Sequence, residues 1–291
     1  MSGVLAILGP GTLGLSTAQW AVACGFSVRL LGRDLSHAEA GVRAIHDRWE
    51  REAAAGRLHP EAHTRGLDLL QAGTLGAASL AGATALLEAL PEEEALKAEA
   101  LGSAARSGHP DLLLLSGTSA LPIARLAAAS GTEGRLVGFH LFVPVPRMGV
   151  VEMAVAEGTD PHWVSQARAL GEALHKRVVQ VRDQPGFAAA RMALALGLEA
   201  MRLLEDGVAS ADDLDALMTL GYGHPAGPLE VSDRVGLDLR LRIAQQLHHS
   251  GAARFEPPRI LEDSVRRGRL GRKTRRGFHA WSALGKRQPQ G

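Results

Sequence analysis

The 291-residue sequence has no asparagine, one cysteine, one tyrosine and four lysines (Lys97, Lys176, Lys273 and Lys286), so 28 of its 32 Lys/Arg residues are arginine. Each scarcity limits what the chain can be. A lone Cys24 excludes an internal disulfide and fits a reducing compartment, so a cytoplasmic location is expected. No uninterrupted apolar run approaches the roughly 20 residues of a spanning helix, so no membrane anchor is expected. Met1 is followed almost at once by the apolar "VLAILG" without a basic stretch, so no secretory leader is expected either. A net charge of +1 supplies no basic field for nucleic acid. The basic cluster at residues 266–276, "RRGRLGRKTRR", reads as a terminal segment of the fold. The "HPEAH" of residues 59–63 lacks both the H-E-x-x-H order and a further ligand set, so no metal site is expected. The missing asparagines fit GC-rich coding or heat adaptation. A site that would use asparagine must here do without it.

What is present reads as two domains. "GVLAIL", the turn "GPGTLG", a helix-like stretch to Gly25 and the apolar "FSVRLLG" make a strand, turn, helix and strand within about 30 residues, the βαβ unit of a parallel sheet. A helix is expected from about Ser36 to Gly56, strands in "LLQAG" and "ATALLEAL", and a helix in "EEEALKAEALGSAARSG". "DLLLLSG" suits a central parallel strand. "RLVGFHLF", "GVVEMAVA" and "RVVQV" are further strands, with a helix near 160–174 between the last two. After "RDQPGF" the periodicity is helical. Met192–Leu204 forms a helix, Ser210 with Asp213 resembles a capping box, and one helix is expected over 231–249. The fold class expected is therefore α/β: an N-terminal Rossmann-type dinucleotide-binding domain, residues 1–183, followed by an all-α C-terminal domain, residues 184–291.

Gly9, Gly11 and Gly14 form G-x-G-x-x-G between a strand and a helix, where the glycines have mechanical meaning. The first permits the tight turn, the second lets the backbone approach a pyrophosphate, and the third lets helix and strand pack. Thr12 and Leu13 begin the helix whose free N–H groups face the anion. The second strand ends in "LLGRD". Gly32 stands where a ribose-binding carboxylate is expected, Arg33 follows it, and Asp34 comes late enough to cap the next helix. The cofactor expected is NAD(H) or NADP(H), with Arg33 leaning the choice toward NADP(H).

One apolar run, "GFHLFVPVPRMGVVEM" at residues 138–153, contains an imidazole and a carboxylate whose unpartnered burial would be costly. This run, with "GPGTLG", "EALPEEEALK", "SGTSALPI", "DQPGF", "GHPAGPLEVSDRVGLD" and "GRLGRKTRRGF", resembles the 3-hydroxyacyl-CoA dehydrogenase family, including its bacterial 3-hydroxybutyryl-CoA dehydrogenases. The resemblance runs almost end to end. It implies reversible NAD(P)-dependent oxidation of an L-3-hydroxyacyl-CoA, with His140 as catalytic base, Glu152 as the carboxylate that orients it and Ser119 on the substrate hydroxyl. It places Glu92 and Lys97 at the nicotinamide half of the cofactor, and Arg51 and Arg57 near CoA phosphates. It also implies a homodimer formed through the C-terminal domain. An imidazole suits proton removal near neutral pH, and a carboxylate on its far nitrogen fixes the tautomer. The sequence departs from the family at Gly117, Val143 and Ala190, where asparagine is usual, and positions 143 and 190 normally line the substrate site. Two other readings stay open on that account: a cofactor-binding paralogue with little activity, and a dehydrogenase of a small free hydroxy acid.

Overall fold

The molecule is described from a computed structural model covering residues 3–56 and 66–288. The chain divides after Phe187 into two units, each with its own core. Among the described residues no helix is long and apolar enough to cross a membrane.

The first unit is a sheet of eight strands in the order β3-β2-β1-β4-β5-β6-β7-β8. They are β1 Val4–Leu8, β2 Ser27–Gly32, β3 Leu70–Thr74, β4 Ala83–Glu88, β5 Leu113–Ser116, β6 Val137–Leu141, β7 Val150–Val155 and β8 Arg177–Arg182. The first six strands run parallel. β7 reverses against β6 and pairs parallel with β8. Its helices include α1 Thr12–Ala23, α2 Leu35–Ala54, the single turn α3 Ala77–Leu80, α4 Glu94–Ser107, α5 Ile123–Ser130 and α6 Pro161–Ala173. Side-chain alternation along β1 explains why the sheet is covered on both faces. Leu5 and Ile7 enter one apolar cluster, Ala6 and Leu8 the other, and none of the four is more than 5% exposed. The crossover from β1 to β2 on one side and to β4 on the other opens the crevice in which such sheets bind ligands.

The second unit contains α7 Ala189–Glu205, α8 Ala211–Ala216, a π turn Leu217–Gly221, α9 Pro228–Val235, α10 Leu237–His249 and α11 Arg259–Arg266. The single helix expected over 231–249 is two, because Gly236 at φ 104° breaks it. Ser210 caps α8 as expected, accepting the Asp213 N–H at 3.1 Å. The reciprocal bond differs from a capping box, since the Ser210 hydroxyl donates to the Asp213 carboxylate at 2.6 Å. The C-terminal segment is tied down by buried aspartates. Asp233, 1% exposed, accepts the N–H groups of Phe278 (3.0 Å) and His279 (2.9 Å) and the Trp281 indole N–H (2.9 Å). Asp215 bonds His279 Nε2 at 2.7 Å and accepts the N–H groups of Leu229 and Glu230 at the start of α9.

Candidate active site

The glycine turn meets its mechanical expectations position by position. Gly9 lies at φ 110°, and a Cβ there would stand 2.7 Å from the Ala89 carbonyl oxygen. A Cβ on Gly14 would stand 1.9 Å from the oxygen of Gly9. Those two glycines are demanded by the protein's own packing. Gly11 differs, since a Cβ there meets nothing within 4 Å. Its bareness leaves open space beside the first turn of α1, where Gly11 is the N-cap and no side chain caps the helix. The residues present therefore fit a dinucleotide pyrophosphate laid against the helix start.

At the end of β2, the absence of a carboxylate at position 32 has a steric cause. A Cβ on Gly32 would lie 2.7 Å from both the Ala38 nitrogen and the Asp34 oxygen, so the first turn of α2 occupies that space. Asp34 caps α2, accepting the His37 N–H and the Ser36 hydroxyl at 2.7 Å each. The Ser36 hydroxyl, the His37 N–H and the neighbouring Arg33 hold its carboxyl below the ordinary value. Arg33 is exposed and bonds Asp34 at 3.2 Å.

His140 and Glu152 are directly opposed in the β6–β7 register, with His140 Nδ1 2.9 Å from Glu152 Oε2. The imidazole side chain is 13% exposed and the carboxylate 4%. Phe142 and Phe187 stand 4.5 and 6.5 Å from the imidazole, centroid to centroid. With the Glu152 carboxylate accepting a hydrogen bond from Nδ1–H, the lone pair of the neutral imidazole is on Nε2. Val143, just beyond β6, is 45% exposed.

A buried network adjoins this pair in the sheet, at the ends of β4 and β5; it joins Glu92, Lys97 and Ser119, expected from the sequence, to Glu88, which was not. Glu88 is fully buried. Its Oε1 accepts the Leu90 N–H at 2.6 Å and bonds the Lys97 ammonium at 2.8 Å, and its Oε2 accepts the Ser116 hydroxyl at 2.7 Å. Lys97, 1% exposed, also donates to the Leu90 carbonyl at 3.0 Å and lies 3.3 Å from Glu92. Glu92 Oε1 receives the Thr118 hydroxyl at 2.6 Å, the Ser119 N–H at 3.0 Å, the Ala120 N–H at 3.1 Å and the Ser119 hydroxyl at 3.3 Å. The Lys97 ammonium is thus enclosed, gripping two carboxylates that shape the Ser119 loop. A signal for Glu88 existed: a carboxylate ending the apolar strand "ATALLE" requires a partner. The "DQPGF" segment braces the same loop from its far side, because Asp183 accepts the N–H groups of Ile123 and Ala124, at 2.8 Å each, at the start of α5.

The remaining candidates lie elsewhere in the chain or outside the described residues. Arg51 is exposed in the last turn of α2, and Arg57 lies outside the described residues, as does "HPEAH". Ala190 sits in the first turn of α7, in the helical unit. Among the described residues no group of three or more His, Cys, Asp or Glu side chains is placed to hold a metal ion.

Comparison with known proteins matches two family descriptions in succession. "3-hydroxyacyl-CoA dehydrogenase, NAD binding domain" covers residues 4–184, and "3-hydroxyacyl-CoA dehydrogenase, C-terminal domain" covers residues 186–281. A probable 3-hydroxybutyryl-CoA dehydrogenase of Bacillus subtilis is 34% identical over 275 residues, spanning 94% of this chain and 95% of its own. The 3-hydroxybutyryl-CoA dehydrogenase of Bradyrhizobium diazoefficiens is 33% identical over 94% of this chain and 93% of its own. Among solved structures, (S)-3-hydroxybutyryl-CoA dehydrogenase of Ralstonia eutropha is similar, with a TM-score of 0.91 at 28% identity. That match covers 97% of this chain and 100% of the other.

Proposed function

Because the chain belongs to the 3-hydroxyacyl-CoA dehydrogenase family, we propose that it interconverts a short-chain L-3-hydroxyacyl-CoA of the 3-hydroxybutyryl type and its 3-oxoacyl-CoA, with His140 as the base. The observation that carries the reading is the buried His140–Glu152 pair, which leaves Nε2 free to take a proton. NAD, when bound, supplies the acceptor for the hydride that leaves C3 of the substrate. In oxidation, Nε2 of His140 removes the hydroxyl proton while the Glu152 carboxylate stabilises the imidazolium. In reduction the same nitrogen returns the proton. Ser119, whose loop is held by Glu92, orients the substrate oxygen. Gly9, Gly11, Thr12, Leu13 and Gly14 hold the pyrophosphate. Glu92 stands at the nicotinamide side, while Lys97, expected there too, is enclosed by Glu88, Leu90 and Glu92 and acts through Glu92 without touching the cofactor. Arg51 supplies positive charge for the CoA phosphates.

Three finer readings accompany this one. With Gly32 closed to a carboxylate and Arg33 exposed beside it, NADPH is accepted in addition to NADH. The helical unit pairs with a second copy. Support comes from Leu217, Leu220 and Tyr222, which are 61%, 87% and 78% exposed around the π turn. The enzyme works in the cytoplasm, consistent with a lone thiol. The experiment crosses acetoacetyl-CoA and free acetoacetate with NADH and NADPH, using wild type and His140→Ala. The expected result is thioester-dependent oxidation of the reduced cofactor that falls by about 10²–10⁴ in the variant. Activity on the free acid alone, or no turnover in wild type, would replace this reading by one of its rivals.

A further inference from the structure

We propose that Ser16, Trp20 and Lys176 form a strap that sets the distance between the cofactor-binding helix and the catalytic hairpin, making Ser16 and Lys176 positioning residues for the reaction. The inference rests on His140 being the base. The connection between β6 and β7 begins two residues after His140 and ends three before Glu152, and its 3-10 turn Val145–Arg147 is held at one residue, Val145, from two sides. The Val145 N–H donates to Ser16 Oγ at 2.9 Å, and the Val145 carbonyl accepts the Lys176 ammonium at 2.7 Å. Val145 is fully buried, and Ser16 and Lys176 are 7% and 5% exposed.

Both grips lead back to α1. Ser16 lies one helical turn past Thr12, where the pyrophosphate is received. Trp20, four residues on and so on the same face, puts its ring 4.2 Å from the Lys176 ammonium. The Trp20 indole N–H donates to the Leu174 carbonyl at 2.7 Å, fixing the segment that carries Lys176. Burial pushes the Lys176 ammonium below the ordinary lysine value, while the neighbouring Cys24 thiol acts the other way. An ammonium brought inside to meet one carbonyl and one aromatic face is expensive unless the geometry it enforces matters. Composition points the same way. In a chain with 28 arginines and four lysines, position 176 kept the compact point charge that fits a single carbonyl under a ring, where a planar fork has no matching acceptors.

The hydride leaves C3 and the proton leaves the oxygen bonded to it, so the nicotinamide and the imidazole must be placed against each other to a fraction of an ångström. A misplacement of about 1 Å can cost about 100-fold. The strap is a direct hydrogen-bonded link between the helix whose start receives the cofactor's pyrophosphate and the loop that follows the imidazole.

The test is steady-state reduction of acetoacetyl-CoA by NADH and by 4-deuterated NADH, in wild type, Ser16→Ala, Lys176→Met and His140→Ala. Both strap variants should lose about 10- to 100-fold in kcat. Their KM for NADH should stay within about twofold, and the deuterium isotope effect should rise as the chemical step becomes limiting. Ser16→Ala removes one hydroxyl and keeps the inference testable if Lys176→Met does not fold. A kcat within about twofold of wild type in Ser16→Ala, or a loss without a larger isotope effect, overturns the strap even where His140→Ala is inactive. An active His140→Ala overturns instead the assignment of the base.

Discussion

His140 and Glu152 are twelve residues apart in sequence but directly opposed across the antiparallel β6–β7 pair, Nδ1 to Oε2 at 2.9 Å. Opposed residues in such a pair point to the same face with Cβ atoms about 5 Å apart, so the register itself builds the contact. Glu152→Gln therefore tests orientation without removing the base. Its amide can donate to Nδ1 and reverse the tautomer, placing the proton on Nε2. The expected loss in kcat is about 10²- to 10⁴-fold, with a melting temperature close to that of wild type. A fall of less than about tenfold in the rate of NADH oxidation would remove Glu152 from the mechanism.

The glycines of the turn separate folding from binding. Gly11→Ala adds a methyl to open space, so it should fold normally and weaken NADH binding by about tenfold or more, read by titration of nicotinamide fluorescence. Gly14→Ala drives a methyl to within 1.9 Å of the Gly9 oxygen. It should destabilise the protein by more than about 3 kcal/mol or prevent folding. Equal behaviour of the two variants would contradict the separate roles assigned to them.

How much of this was legible in the sequence depended on how local each device is. The βαβ unit, the glycine turn and the Asp34 cap are local patterns, and the structure has them where the residues indicate. The His140–Glu152 pair could be read because its two strands are consecutive. Glu88 was missed because its partners come from three places: Leu90 nearby, Lys97 on α4 and Ser116 on β5. Periodicity says nothing of such meetings. The break at Gly236 went unread for another reason. A single glycine within an otherwise helical pattern is tolerated or breaks the helix according to its φ, which the flanking residues do not state.

Lys97→Met tests whether the network at the ends of β4 and β5 is structural as well as functional. It leaves the fully buried Glu88 with the Ser116 hydroxyl and the Leu90 N–H, but without its cation. Removing one partner of a buried pair costs about 3–5 kcal/mol, so the urea midpoint should fall accordingly. An unchanged midpoint would mean that water already reaches Glu88.

Asp233 gives the stability of the helical unit a pH dependence whose sign is fixed. Burial raises its carboxyl above the ordinary value of 3.8, while the Trp281, His279 and Phe278 donors pull it back. A group whose folded value is raised contributes stability that is fully present below 3.8 and lost as pH rises through the folded value. Urea midpoints of wild type relative to Asp233→Asn should therefore be highest near pH 4 and decline toward pH 7. A difference that grows with pH would show that the three donors outweigh burial.

The positions that depart from the family's asparagines are not equivalent, and the structure separates two of them. At Gly117 the space is closed. A Cβ would meet a Leu13 methyl at 2.8 Å and the Glu88 carbonyl oxygen at 2.9 Å, so Gly117→Asn should destabilise the glycine turn and Glu88 together. The absence of asparagine there is enforced by packing, whatever set the composition of the chain. At Val143 the side chain is 45% exposed, and an amide can replace the isopropyl group without displacing a neighbour from a core. If that position faces the substrate oxygen beside His140, Val143→Asn adds a preorganised donor, which in comparable sites is worth up to about 10²-fold in turnover. The expected outcome is a rise in kcat for acetoacetyl-CoA with an unchanged melting temperature. A fall in kcat would mean that this site has already organised other donors and that Val143 serves to exclude water from them.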